Sequence, residues 1–135
     1  MDGECVFCKI VKKEMPAYRV YDDAEFLAFL DIRPLNGGHV VVIPKKHYRW
    51  VWDVPKPGEY FKVVDRIANA LKKAMDTEWI VSYIIGEAMP HAHIHLLPRF
   101  PDDGHGNAIN FGAMKEIPKE QMDSIKDRIK NALLI

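Results

Sequence analysis

The heptapeptide His91-Ala92-His93-Ile94-His95-Leu96-Leu97 constrains this chain more than any other stretch. Histidine takes every second position from 91 to 95, and apolar residues fill the gaps. A period of two is that of a β-strand, whose successive side chains point to opposite faces. The three imidazoles therefore share one face, while Ala92, Ile94 and Leu96 share the other. Side chains two residues apart on a strand stand roughly 6.5 to 7 Å apart, close enough for neighbouring imidazoles to surround one phosphate or one metal ion. One histidine here would read as a satisfied core residue; three in alternation do not.

At 135 residues the chain has the length of one domain, expected to run from residue 1 to 135 and to bury roughly two thirds of its unfolded surface. Its 19 basic and 19 acidic side chains cancel. That balance lacks the basic footprint needed to track a nucleic-acid polymer or an anionic membrane, and leaves a small molecule as the expected partner. Met1-Asp2-Gly3-Glu4 has no basic or apolar signal region, and no run approaches the ~18 apolar residues of a membrane span. Cys5 and Cys8 are too few for a disulfide framework. A soluble, cytoplasmic protein is the expectation.

Residues 7–11 form a short apolar segment closed by a turn at 12–16, and 18–21 with 25–30 read as a hairpin. A loop at 31–38 leads into 39–44, whose Val40-Val41-Val42-Ile43 is an unbroken β-branched run, and hence a strand buried on both faces. From 57 to 76 the apolar residues follow helical spacing, which predicts an amphipathic helix lying on a sheet. Strands are expected at 78–85 and 91–97, a mobile loop at 102–110, and a terminal helix carrying Met122, Ile125, Ile129 and Leu133. Hairpin-paired strands with helices added separately predict an α+β domain on an antiparallel sheet.

Four segments, in order, resemble the histidine triad (HIT) superfamily of nucleotide hydrolases and transferases. They are Cys5-Val6-Phe7-Cys8-Lys9-Ile10, Phe29-Leu30-Asp31-Ile32-Arg33-Pro34, Gly38-His39-Val40-Val41-Val42-Ile43-Pro44-Lys45-Lys46-His47 and the His91 heptapeptide. The resemblance implies a HIT-like antiparallel sheet with one long amphipathic helix and a C-terminal helix. It also implies a covalent two-step reaction at the α-phosphorus of a nucleotide conjugate. His93, at the middle triad position, would be the nucleophile, an imidazole being neutral and nucleophilic near pH 7. His95 would donate to the phosphate oxygens, and His39 would support the triad from the neighbouring strand. Asp31 matches the ribose-binding carboxylate, and Val6, Phe7, Ile10, Phe29 and Ile32 match the lining of the family's purine slot. The resemblance also implies a symmetric homodimer supported by the helix at about 57–76 and the strands around it, with Trp50, Trp52 and Trp79 candidates to fill apolar surface there or in the core.

Two stretches set the chain apart from many of those relatives. Ile85-Gly86-Glu87-Ala88-Met89-Pro90 is shorter than the usual Gly-Gln-Ser or Gly-Gln-Thr loop and has no Ser, Thr or Gln for the leaving group. Glu87 is an alternative acid there, or a plain solvated carboxylate. Cys5 and Cys8 have the Cys-x-x-Cys spacing of metal thiolates, and His47 and His91 match the other two ligands of zinc-bearing HIT proteins. Structural zinc is the reading that follows, with a redox cysteine pair or plain core cysteines as rivals. For the chain as a whole, the competitors of a nucleotide hydrolase or transferase are a purine-nucleotide-binding module with little turnover and a metalloenzyme holding its ion on His91, His93 and His95. Dinucleoside polyphosphates, nucleoside phosphoramidates and aminoacyl-adenylates all stay open as substrates.

Overall fold

A computed structural model describes residues 5–134; the N-terminal tetrapeptide inspected above for a signal lies outside them. Five strands form one antiparallel sheet: β1 (Arg19–Asp22), β2 (Phe26–Leu30), β3 (Val40–Pro44), β4 (Ile80–Tyr83) and β5 (Ile94–Pro98), in the order β1-β2-β3-β5-β4. Helices α1 (Val6–Val11), α2 (Pro57–Met75) and α3 (Lys119–Leu133) complete the α+β architecture.

The period of two distributes the core. Phe26, Ala28, Leu30, Val40, Val42, Ile94 and Leu96 pack with Tyr60, Val64, Ile67 and Leu71 of α2 and with Met122, Ile125 and Ile129 of α3. Leu27, Phe29, Val41 and Ile43 face the other way, onto Phe7, Cys8 and Ile10 of α1. Strand β3 is consequently buried along its whole length on both faces. Helix α2 begins with Pro57 at its first turn, where a missing N–H costs nothing, and ends with Lys72 and Lys73 against the negative end of its dipole. The apolar segment near the N-terminus is helical because Cys5 caps it: Cys5 Sγ accepts from the Cys8 N–H at 3.4 Å.

Two strands and one loop differ from the sequence expectation, each for a physical reason. The histidine strand is laddered only from Ile94, since Pro44, which would come opposite Ala92, has no N–H to give. Ala92 instead donates to the Tyr48 carbonyl at 2.6 Å. Strand β4 shrinks from 78–85 to Ile80–Tyr83, since among the described residues it is laddered to β5 alone, over Ile80–Tyr83. The segment at 102–110, expected to be a mobile loop, is anchored at its start. Asp103 accepts from Arg99 Nε at 2.7 Å, and both side chains are buried. Among the described residues no helix is long and apolar enough to cross a membrane.

Candidate functional site

The alternation puts His39, His91, His93 and His95 on the α1 side of the sheet, but backbone partners divide them into two groups. His91 Nε2–H donates to the Pro44 carbonyl at 2.8 Å, which leaves the lone pair on Nδ1. That nitrogen lies 3.3 Å from Cys5 Sγ and 3.5 Å from Cys8 Sγ, and His47 Nδ1 lies 3.3 Å from Cys8 Sγ. All four ligand atoms fall within 4.8 Å of one another. Around a tetrahedral ion with zinc's bond lengths, sulfur and nitrogen stand about 3.6 Å apart. The residues therefore fit a closed two-thiolate, two-imidazole site, with the Pro44 carbonyl fixing the tautomer of one ligand. Burial of both cysteines argues against a redox pair, which needs an accessible thiolate.

His93 turns the other way around its ring. Its Nδ1–H donates to the His91 carbonyl at 2.7 Å, so Nε2 carries the lone pair. Phe7 sets its edge against this ring at 5.4 Å. His95 is governed by a relay that starts in the backbone. The Leu35 N–H donates to His39 Nδ1 at 3.1 Å, which obliges neutral His39 to carry its proton on Nε2. That proton is donated to His95 Nδ1 at 2.9 Å, so His95 carries its own on Nε2. One ring thus offers a lone pair and its neighbour a proton, with centroids 4.9 Å apart. A lone pair beside a donor is what attack on a phosphorus and stabilisation of its oxygens require. Asp31, His39 and His95 also cluster, but His39 has both nitrogens engaged and no lone pair to offer an ion. His91, His93 and His95 do not converge on one point among the described residues, and the single-ion metalloenzyme reading falls with that.

Burial is the largest influence on these imidazoles and holds them neutral. It depresses the His39 pKa against the pull of Asp31, and depresses that of His93 against the His91 carbonyl and Asp31. His95 is pushed down to about 3, by burial first and then by repulsion from its two imidazole neighbours. The rings line a cavity of about 260 Å³ together with Asp31, Tyr83 and Gly86. Roomier grooves exist, among them one of about 620 Å³ beside α2, but they hold no paired imidazoles.

Asp31 Oδ1 accepts from the Arg33 N–H at 2.9 Å, forming a local turn, while Oδ2 faces His39 Nε2 at 3.7 Å. Phe7, Ile10 and Phe29 are buried under α1. Val6 and Ile32 are 37% and 74% exposed, so only these two of the five candidate slot residues offer free apolar surface. None of the five lines the triad cavity. Glu87 stands exposed at its rim, and Trp50, Trp52 and Trp79 are all exposed. Three contributors escaped the sequence reading. Tyr83, opposite His95 across the β4–β5 ladder, stacks on that ring at 4.4 Å. Phe111 sets its edge against Tyr83 at 5.2 Å. Arg49 lies 3.6 Å over the Trp50 ring and donates to the Gly86 carbonyl at 2.8 Å, tethering the loop before the triad. Gly86 has φ +74°, and a Cβ there would sit 3.2 Å from Trp50. Of these, only the Arg49–Trp50 pair left a trace in the sequence, as adjacent residues just after His47.

Comparison with known proteins agrees with this geometry. The HIT domain family profile matches residues 12–102. A HIT-like protein of Methanocaldococcus jannaschii is 38% identical over 132 residues, covering 93% of this chain and 98% of that protein. Adenosine 5'-monophosphoramidase of Saccharomyces cerevisiae is 36% identical over 104 residues, 73% of this chain and 65% of that enzyme. A zinc-bound histidine triad family protein from Mycobacterium smegmatis superposes with a TM-score of 0.82 at 30% identity, covering 99% of this chain and 96% of that one. The fold and the paired imidazoles define a histidine triad protein. The chain belongs to the HIT family.

Neutrality of His95 has a pH signature. Its ring resonances are expected to stay unshifted from pH 7 to pH 5 in an NMR titration, and an inflection near pH 6.5 would contradict the burial argument. Unfolded imidazoles take up protons near pH 6.5. Below that pH the unfolded chain binds a proton that folded His95 refuses, so stability falls as pH drops from 6.5 towards 3.

Proposed function

We propose that the chain is a nucleotide hydrolase or nucleotidyl transferase, acting on a purine-nucleotide conjugate through a covalent His93-nucleotidyl intermediate. The observation that carries this is the opposed tautomers of adjacent rings: His93 with its lone pair on Nε2, His95 with its proton there. In the first step His93 Nε2 forms a bond to the α-phosphorus as the bond to the leaving group breaks, and the leaving group departs with that electron pair and takes a proton from solvent. His95 Nε2–H donates to the phosphate oxygens, where charge accumulates. In the second step a water oxygen bonds to phosphorus and returns a proton to solvent as the N–P bond breaks, and His93 recovers its lone pair. His39 keeps His95 in the donating form, and Asp31 Oδ2 accepts from the ribose hydroxyls. The purine lies against exposed Val6 and Ile32, backed by Phe7, Ile10 and Phe29. The yeast relative's name makes a nucleoside phosphoramidate the first substrate to try.

With adenosine 5'-phosphoramidate, His93→Ala is expected to abolish release of AMP while AMP binding stays within about tenfold, because the nucleophile goes and the other contacts remain. Near-wild-type turnover by the variant would end the covalent mechanism. The Ile85–Pro90 stretch supplies no hydroxyl or amide side chain. A wild-type protein that binds AMP without turning over any conjugate would therefore move the assignment to a nucleotide-binding module.

Zinc is the ion assigned to Cys5, Cys8, His47 and His91, supported by the donor set, its separations and the zinc-bound relative. When bound it supplies a structural cross-link between the N-terminal segment and the sheet. A strong chelator is expected to lower Tm by about 5 °C or more, a shift worth one to two kcal/mol in a chain of this size. Cys8→Ser should lose the ion and stability together. Less than about a tenth of an equivalent of zinc, with melting indifferent to chelator, would remove the assignment. Cytoplasmic reduction would keep both thiols available for it.

The sheet ends in β4, whose outer edge is not laddered among the described residues, with Trp79 exposed beside it. Pairing of that edge with a second copy is the reading we give it, since an open edge seeks a strand. Sedimentation at micromolar concentration is expected to give a dimer; monomer alone would refute it.

A further inference from the structure

The tautomer relay begins at one peptide, and that peptide is itself held. The unit joining Pro34 to Leu35 directs its N–H at His39 Nδ1, and at its opposite end the Pro34 carbonyl accepts from the Lys115 N–H at 2.8 Å. The next carbonyl, of Leu35, accepts from Lys115 Nζ and from His105 Nε2, each at 2.9 Å. The other two protons of the ammonium go to Asn36 Oδ1 at 2.7 Å and to the Asp103 carbonyl at 2.8 Å. All three N–H bonds of this lysine are engaged inside the protein. Asn36 is buried and is fixed in turn by the Pro98 carbonyl and Asp103 Oδ2. Lys115 lies beyond residue 102, where the match to the family profile stops.

We propose that Lys115 is a positioning residue for the triad: its backbone N–H and its ammonium hold the 34–36 loop so that the Leu35 N–H keeps His39, and through it His95, in the Nε2–H form. A backbone N–H only donates, so while it points at His39 Nδ1 no proton can sit there. The two neutral tautomers of a free imidazole differ little, and one net hydrogen bond is enough to choose between them. Were His39 to carry its proton on Nδ1, its Nε2 would accept from His95 Nδ1–H. His95 would then present a lone pair, and not a proton, to an anionic phosphate. A loosened loop remote from the chemistry thus reverses the sign of the interaction at the reacting group.

This deepens the phosphate-donor reading of His95 and rests on it, but its primary test needs no substrate. In 15N-labelled wild-type protein we expect a through-hydrogen-bond coupling between the Leu35 amide nitrogen and His39 Nδ1, with His39 and His95 both Nε2–H. Lys115→Met keeps the stem and removes the ammonium. It is expected to weaken that coupling and mix the His39 and His95 tautomers, and to lower kcat on adenosine 5'-phosphoramidate about tenfold with KM within twofold, the pattern of lost geometry at the reacting centre. Lys115→Arg should restore most of kcat. A folded Lys115→Met with wild-type tautomers overturns the proposal. So does wild-type protein with His39 protonated on Nδ1, a measurement that stands even where the variant fails to fold. Mixed tautomers in the variant, with a wild-type protein that turns over no conjugate, would support the role of Lys115 and count against the reaction.

Discussion

The pairing of Val41 with His95 across β3 and β5 is the constraint on which the rest depends. A slip of one residue would send the imidazoles of the strand under α2 and its own core residues, Ala92, Ile94 and Leu96, to the α1 side. The register is overdetermined. Strand β3 is paired on both edges and buried on both faces, so any slip costs apolar burial on two sides at once. A polar site can stand beside a dry core because one strand separates them, with its odd residues given to chemistry and its even ones to packing.

Identical side chains in one short stretch do different work here because their backbone partners differ. A carbonyl at Nε2 leaves His91 its lone pair on Nδ1, facing the cysteines, whereas a carbonyl at Nδ1 leaves His93 its lone pair on Nε2. His95 has no carbonyl on the ring nitrogen that faces the sheet, only the proton of His39. Burial then suppresses the charged form and leaves these hydrogen bonds to decide where each proton sits.

Local pattern was legible in the sequence, and long-range contact was not. The alternation at 91–97 told which residues share a face, and the β-branched run at 39–44 told of a strand without a wet side. Neither reveals where a ladder stops, which depends on Pro44 arriving opposite Ala92. Asp31, His39, His93 and His95 were expected together because their types match a known order along the chain, and they do line one cavity. Tyr83 was not, since nothing local says which residue of β4 falls beside His95. Lys115 was invisible for the same reason: its partners sit 79 and 80 residues earlier in the chain. The glycines at 104 and 106 and the acidic pair beside them give the composition of a loose loop, yet the buried partner of Arg99 lies among them.

Pro44 does two things that together draw a seam through the molecule. It ends the β3–β5 ladder, and its carbonyl orients His91 just past that end. The cysteine–histidine cluster is therefore joined to the sheet by the His91–Pro44 side-chain bond and by the packing of α1, with loop bonds of His91 to Met89 and of Ala92 to Tyr48 around it, and not through strand pairing. Opening of helix α1 together with the cluster residues would break those bonds and strip α1 from Leu27, Phe29, Val41 and Ile43, while the ladder hydrogen bonds stay zipped. Sub-global opening of this kind would lift Phe7 from the flank of His93 and bare that ring's side of the sheet.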